Sequence, residues 1–166
     1  MNGPLITCVD VDYRAAGAWA AALWFRGWNA AVSETKAVLR FDTVADYEPG
    51  QFYKRELPCL LGVLKRGPRP EIIVVDGYTW LGEGVAGLGA HLHHALQIPV
   101  IGVAKTRFAT ATDAVAILRG TSQTPLYVSV AGLDVAEAAA CVKSMHGPHR
   151  LPTLLKQVDR LARNKL

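Results

Sequence analysis

A short run of β-branched residues near the middle of the chain most constrains its fold. Residues 71–80 read EIIVVDGYTW, and no polar residue interrupts the run from Ile72 to Val75. A continuous apolar run of this length is typical of a central strand that is covered on both faces. The run ends on Asp76, and a glycine follows at once. It therefore predicts an α/β protein in which a buried strand carries an acid to the edge of its sheet.

The residues before this strand predict an antiparallel meander followed by a helix. Three segments have strand character, at residues 5–13, 18–28 and 37–44. Apolar residues recur at helical spacing over residues 50–64, and Pro68 and Pro70 follow them. The meander and the later central strand together indicate a mixed sheet.

The residues after the strand alternate between helix and strand patterns. Helices are predicted over residues 85–97, 113–118, 135–143 and 153–163, and strands over residues 98–103 and 126–130. The predicted architecture is an antiparallel meander followed by parallel strands, flanked by helices. The chain shows no internal repeat or linker, so residues 1–166 are expected to form a single domain.

Composition excludes several classes of protein. The chain is 51% hydrophobic and 19% charged, which is a globular balance and argues against disorder. Its longest apolar stretch, residues 18–25, is about half of a membrane span, and no secretory leader is recognisable. Cys8, Cys59 and Cys141 have no CxxC spacing, which indicates a reducing, cytoplasmic location. The net charge of +4 is compatible with nucleic acid and equally with an ordinary basic surface.

Three acids lie on predicted apolar elements and could meet at one site. Asp10 lies within the first strand, Asp76 ends the central strand, and Glu56 lies in the helix between them. If the two strands are neighbours, the aspartates lie roughly 5 Å apart and repel unless a proton or a cation is shared. Oxygen ligands suit Mg²⁺, with Mn²⁺ as an alternative. Spacing alone leaves the plainer reading open, in which each acid caps a helix or pairs with a lysine.

Four longer stretches decide between these readings. DYEPGQFYKRELPCLL, PEIIVVDGYTWLGEGVAGLGAHL, IPVIGVAKTRF and HRLPTLLKQVDRLA occur in this order. Together they resemble the endonuclease V family, which acts on inosine-containing nucleic acid. The resemblance extends from about residue 9 to residue 161 and rests on the order of the motifs, since each motif alone is short.

The resemblance implies a ribonuclease H-like fold and a Mg²⁺-dependent phosphodiesterase. Such an enzyme nicks DNA or RNA on the 3′ side of a deaminated base, so the expected partner is inosine-containing, single-stranded nucleic acid. By the same resemblance, the metal ligands are Asp10, Glu56 and Asp76, and Asp159 is a fourth acid. Lys105 is placed near the scissile phosphate. The sequence assigns no oligomeric state.

The resemblance also implies a set of substrate-binding residues. Tyr47, Glu48, Pro49 and Gly50 match a wedge that separates strands beside the lesion. Gly77 leaves space for a base, and Tyr78 and Trp80 follow it on the predicted site face. We expect Trp80 either to stack on a base or to pack within the protein.

The chain departs from the family pattern at four places. Tyr78 and Gly82 stand where the family has histidines, and Leu133–Asp134 replaces a His-Arg pair. Glu48 stands in the wedge where an apolar residue is usual, and a carboxylate there repels phosphate. Two functions therefore stay open, a working nuclease with altered substrate choice or a weak paralogue that binds nucleic acid or a protein partner.

Overall fold

Nine strands and four helices form the described part of the computed structural model, which comprises residues 3–42 and 53–164. The strands are β1 (Leu5–Arg14), β2 (Gly17–Arg26), β3 (Thr35–Phe41), β4 (Ile72–Asp76), β5 (Trp80–Gly82), β6 (Val85–Ala86), β7 (Val100–Ala104), β8 (Val115–Ile117) and β9 (Leu126–Ala131). The helices are α1 (Tyr53–Leu64), α2 (Leu88–Leu96), α3 (Val135–Lys143) and α4 (Thr153–Ala162).

Seven of the strands form one mixed sheet in the order β3-β2-β1-β4-β7-β9-β8. The first three strands are an antiparallel meander, and β1, β4 and β7 are parallel neighbours. The remaining two strands of the sheet, β9 and β8, are antiparallel to their neighbours. The predicted mixed sheet is confirmed, and β4 lies at its centre with every residue from Ile73 to Val75 buried.

Helices cover both faces of this sheet and bury two apolar cores. One core lies between the sheet and helices α3 and α4, and it includes Cys8 and Val74. The other lies between the sheet and helices α1 and α2, and it includes Val9 and Val75. Because successive strand residues point to opposite faces, β1 and β4 each contribute to both cores. Burial on both faces explains why residues 72–75 of β4 are all apolar.

Two of the predicted helices are wrong in part or in whole. Residues 113–118 do not form a helix but contain β8, which pairs with β9 from Val115↔Val128 to Ile117↔Leu126. Pairing at the edge of the sheet thus overrides the modest helix propensity of this segment. The helix predicted over residues 85–97 begins only at Leu88, because Val85–Ala86 pairs with β5 in a short hairpin.

Close packing explains the later start of this helix. Gly87 is its extended N-cap, and the Gly87 amide donates a hydrogen bond to the carbonyl of Thr79. A Cβ on Gly89 would lie 2.5 Å from Cγ2 of Thr79, so glycine allows α2 to approach the segment after β4. Gly87 and Gly89 therefore serve the close packing of α2 against residues 78 and 79.

None of the helices described in the two ranges combines the length and the apolarity that crossing a bilayer requires.

Candidate active site

Two aspartates, Asp10 and Asp76, lie next to each other on neighbouring strands. Val9 of β1 is paired with Val75 of the parallel strand β4, so the next residues, Asp10 and Asp76, follow at the same edge. Equivalent residues of parallel neighbours point to the same face, and the strands lie roughly 4.8 Å apart. The strand-end arrangement predicted from the apolar run is therefore present.

Helices on opposite faces bring two further acids to the same edge. Asp159 lies on α4, close enough to Asp10 for the two carboxyl groups to share a proton, which raises the pKa of Asp10. Glu56 lies in the first turn of α1, on the other face of the sheet, and the charge of Asp76 helps to raise its pKa. The chain thus gathers four carboxylates from two strands and two helices.

The crowding of acids raises their proton affinity. Burial raises the pKa of Asp10 to about 8, and the charge of Asp76 and the hydrogen bond with Asp159 act in the same direction. Burial, followed by the charge of Asp76, raises the pKa of Glu56 to about 7. The pKa of Asp76 is also raised, mainly by partial burial, although the charge of Lys105 opposes this. Without a cation, the protein at neutral pH therefore holds protons on some of these groups.

Two cations flank the acids. Nζ of Lys105, just after β7, lies 3.9 Å from Oδ2 of Asp76. Nε of Arg163, at the end of α4, lies 3.2 Å from Oδ1 of Asp159. Both pairs are partly exposed, so they contribute little to folding free energy, but they place positive charge beside the carboxylates.

The four acids and Arg163 line a cavity of about 480 Å³, which we call the acidic cavity, whereas Lys105 lines neighbouring space. Three tyrosines also line the acidic cavity, and its lining includes Asp10, Asp12, Glu56, Asp76, Asp159, Arg163, Tyr13, Tyr53, Tyr78, Gly77, Leu81 and Leu88. An open shelf beside it, of about 390 Å³, is lined by Asp76, Gly77, Tyr78 and residues 104–108. Acids, cations and aromatic rings in one concave surface form a site that suits a charged ligand with planar rings.

The carboxylates do not form a ready-made metal cage. Within residues 3–42 and 53–164, no three or more His, Cys, Asp or Glu side chains are close enough to hold a metal ion together. This applies also to His91, His93 and His94 of α2. His91 stacks on Tyr53 with ring centroids 3.6 Å apart, and Nδ1 of His93 is hydrogen bonded to the carbonyl of Ile98 at 2.8 Å.

The predicted substrate-binding residues divide into three groups. Gly77 and Tyr78 line both the acidic cavity and the shelf. Trp80 does not lie in the acidic cavity; its side chain is 39% exposed and lines a separate groove of about 260 Å³. Tyr47, Glu48, Pro49 and Gly50 lie outside the described residues.

Two of the four departures from the endonuclease V pattern line the same separate groove. Besides Trp80, it is lined by Gly82, Leu133 and Asp134. Asp134 is also the N-cap of α3, where its carboxylate accepts a hydrogen bond from the amide of Glu137 at 3.0 Å. The replaced basic pair has thus become an apolar residue and a helix cap.

Sequence reasoning missed several residues that shape the site. Tyr13 and Tyr53 line the acidic cavity, but nothing in the sequence around them identifies them as site residues. Arg150 was recognised only as part of a motif, and its guanidinium donates hydrogen bonds to the carbonyls of Lys105, Thr124 and Pro125. Its place in the Arg-Leu-Pro motif, residues 150–152, is the feature of the sequence that could have identified Arg150 as a site residue.

Comparison with known proteins supports one family. The profile of the Endonuclease V family matches residues 2–160. Endonuclease V of Thermococcus kodakarensis is 30% identical over 166 residues, which cover 95% of this chain and 77% of that protein. Endonuclease V of Rhodospirillum centenum is 34% identical over 113 residues, covering 63% of this chain and 46% of that protein. The aligned part of the chain thus spans about half the length of the Rhodospirillum protein.

Solved structures show the same fold. The crystal structure of endonuclease V from Streptomyces avermitilis is 25% identical with a TM-score of 0.79, covering 98% of this chain and 82% of that one. Endonuclease V of Ciona intestinalis, solved with a DNA containing an inosine, is 17% identical with a TM-score of 0.81 and coverages of 98% and 85%. The ribonuclease H-like fold implied by the motifs is therefore confirmed. With a family match over nearly its whole length and the same fold, the chain belongs to the endonuclease V family.

Proposed function

We propose that this protein is a Mg²⁺-dependent endonuclease that hydrolyses a phosphodiester bond 3′ to a deaminated base, inosine, in DNA or RNA. The observation that carries the proposal is the convergence of four carboxylates from β1, β4, α1 and α4 on one cavity in a chain of this family. Mn²⁺ is expected to replace Mg²⁺. Nucleic acid in single-stranded form is the proposed partner, in a cytoplasmic setting that suits the free thiols of Cys8, Cys59 and Cys141.

The donor set fits a hard divalent cation. Asp10 and Glu56 have raised pKa values, mainly through burial and then through the charge of Asp76, and a cation in the cavity relieves this repulsion. Mg²⁺ commonly takes one or two carboxylates and completes its shell with water and phosphate oxygens, so a full protein cage is not required. We assign Asp10, Asp76 and Glu56 as its ligands, an assignment that requires these three side chains to move closer together when the cation binds. When bound, the metal supplies an activated water and neutralises charge on the phosphate.

The charged residues beside the proposed metal ligands have distinct proposed roles. Lys105 donates positive charge to the phosphate that is cleaved, and its contact with Asp76 keeps the ammonium near the metal ligands. Asp159, through its hydrogen bond, orients Asp10, and Arg163 in turn holds Asp159. Each of these residues acts where negative charge is concentrated, so neutralising any of them should slow cleavage.

Gly77 lies at the centre of the proposed substrate contacts. This glycine has φ of 109°, and no atom lies within 4 Å of the place where a Cβ would stand. Space is therefore left for a nucleotide next to Asp76. We propose that Tyr78 contributes to this wall, that Trp80 binds a more distant part of the strand, and that Tyr47, Glu48, Pro49 and Gly50 form the wedge.

A cleavage assay tests the proposal. Labelled single-stranded DNA and RNA oligonucleotides with one inosine are incubated with protein and Mg²⁺ or Mn²⁺, and oligonucleotides with adenosine at that position are the substrate controls. We expect cleavage 3′ to inosine in at least one polymer, reduced at least about 100-fold by Asp76→Asn. Glu34→Gln is the matched control, because this acid is 53% exposed and lies 3.9 Å from Arg26, far from the cavity in the sheet order.

The alternative is a protein that binds nucleic acid without cleaving it. Two features favour it: Leu133–Asp134 stands in place of a basic pair, and these two residues line one groove together with Gly82. In that case the oligonucleotides bind with an affinity that falls as salt rises, while wild type and Asp76→Asn give equally little product. That result would contradict the endonuclease assignment.

A further inference from the structure

We infer that Tyr78 is a positioning residue that acts through the neighbouring loop to hold Lys105 beside Asp76. This inference rests on the proposed function for its catalytic consequence, but the geometry that carries it is independent of any substrate. It assigns a role to the tyrosine that stands where the family has a histidine.

The Tyr78 hydroxyl is engaged in two hydrogen bonds with one segment of backbone. It donates to the carbonyl of Thr106 at 2.7 Å and accepts from the amide of Phe108 at 3.0 Å. Its ring lies against that of Phe108, with centroids 6.0 Å apart. The hydroxyl proton is therefore already committed, so Tyr78 offers substrate a ring and not a free donor.

The segment that Tyr78 holds has few other restraints. Residues 105–110 are all exposed and lie outside any strand or helix. Lys105 comes directly before Thr106, and the carbonyl of Lys105 accepts a hydrogen bond from the guanidinium of Arg150. Two side chains thus fix two successive carbonyls of the segment, Arg150 that of Lys105 and Tyr78 that of Thr106. An exposed segment without regular structure depends on such side-chain anchors for a defined position.

The sheet explains why a residue after β4 can reach this segment. Strands β4 and β7 are parallel neighbours, with Asp76 opposite Val103, and the Gly77 amide donates to the carbonyl of Val103 at 3.0 Å. Tyr78 and Lys105 therefore follow adjacent strand ends. A phenol is long enough to cross from one strand end to the next. Tyr78 thereby links the residues that follow Asp76 to the loop that begins at Lys105.

The test is Tyr78→Phe, which removes the hydroxyl and keeps the ring. We expect kcat for inosine-dependent cleavage to fall about tenfold while KM changes less than twofold, because a small displacement of Lys105 affects the phosphate more than binding. Hydrogen exchange of the Phe108 amide should become about tenfold faster. In a Lys105→Ala background, Tyr78→Phe should have no further effect on kcat. Ser144→Ala, which removes an exposed hydroxyl at the C-cap of α3, is the control and should change none of these values.

Two results would overturn the inference. One is unchanged exchange of the Phe108 amide in Tyr78→Phe, which would mean that the hydroxyl does not hold the segment. The other is a full tenfold loss on top of Lys105→Ala, which would mean that Tyr78 does not act through Lys105. Absence of cleavage by the wild type would instead contradict the proposed function, and the exchange rate of Phe108 would still decide whether Tyr78 holds the loop.

Discussion

At the scale of single residues, Asp10 links the stability of the protein to its site. Burial, then the charge of Asp76 and the hydrogen bond with Asp159, raise the pKa of Asp10 to about 8, against roughly 3.9 for an aspartate in an unfolded chain. The folded state therefore binds this proton more tightly than the unfolded state. The stability that Asp10 contributes is complete below about pH 4 and is lost as pH rises toward about 8. Glu56, with a pKa of about 7, acts in the same direction.

Asp10→Asn should consequently stabilise the metal-free protein at high pH while abolishing cleavage. The amide is isosteric and carries no charge to be repelled by Asp76. We expect the Tm difference, variant minus wild type, to grow between pH 5 and pH 8.5 and to reach at least about 2 °C, since roughly 2–4 °C corresponds to 1 kcal/mol at this size. Thermal unfolding in EDTA at several pH values measures it. A Tm difference that is constant with pH would contradict this linkage.

Gly77 gives a second prediction at this scale. Its φ of 109° strains any other residue, so Gly77→Ala should cost about 1–2 kcal/mol of unfolding free energy. Gly84 in the β5–β6 turn is a matched control, with φ of 72° and equally open space around its Cβ position. Both alanine variants should lower Tm, but only Gly77→Ala should also raise KM for the oligonucleotide, because its methyl group enters the acidic cavity. Equal effects of the two variants on KM would argue against Gly77 as a substrate contact.

The sequence predicted the acids better than the groups around them. Asp10 follows from its place within an apolar strand pattern and Asp76 from a strand pattern that ends on a charge, whereas Asp159 follows only from the family motif. The tyrosines of the cavity and the backbone contacts of Arg150 could not be predicted, because they depend on how distant loops approach one another. Trp80 shows the converse, since its closeness to Asp76 in sequence does not bring it into the acidic cavity.

At the scale of elements, the segment between α3 and α4 is organised by one buried arginine. Arg119 is only 5% exposed, and its guanidinium donates hydrogen bonds to five carbonyls, those of Lys143, Met145, Gly147, His149 and Arg150. Because this segment has no regular structure, its carbonyls need such a partner. Arg119 thereby fixes the path of the chain up to Arg150, which in turn contacts Lys105.

Arg119→Lys should therefore destabilise the protein strongly although it keeps the charge. A lysine cannot bond five carbonyls, so acceptors that include the buried carbonyl of Met145 lose their partner at about 1–3 kcal/mol each where they are shielded from water. We expect a loss of at least about 3 kcal/mol in urea unfolding. Arg66→Lys, at an exposed position after α1, should stay within about 0.5 kcal/mol of wild type. Similar losses in both variants would contradict the role given to Arg119.

Elements were predicted well where their pattern is long and buried, and poorly at the sheet margin. The meander, β4, α3 and α4 follow from periodicity alone. β8 was predicted as a helix because three residues of a strand carry too little pattern, and its pairing partner β9 is decided by tertiary contact. The β5–β6 hairpin was missed for the same reason.

At the scale of the whole molecule, we propose that residues 1–166 fold as a single domain. The seven-stranded sheet is continuous from β3 to β8, and buried Trp24 lies on β2, the second strand in that order. Unfolding in urea, followed by tryptophan fluorescence and by far-ultraviolet circular dichroism, should give coincident transitions. Two separated transitions would indicate two folding units.

The central claim is that the carboxylates of Asp10, within β1, and Asp76, at the end of β4, bind the divalent cation of a nuclease. Calorimetric titration of the metal-free protein with Mn²⁺ tests this claim most directly, with Asp10→Asn, Asp76→Asn and the exposed control Glu34→Gln alongside. We predict saturable binding to wild type and Glu34→Gln that is weakened at least about tenfold in both aspartate variants. Binding of equal strength in all four proteins, or no binding to the wild type, would contradict the account.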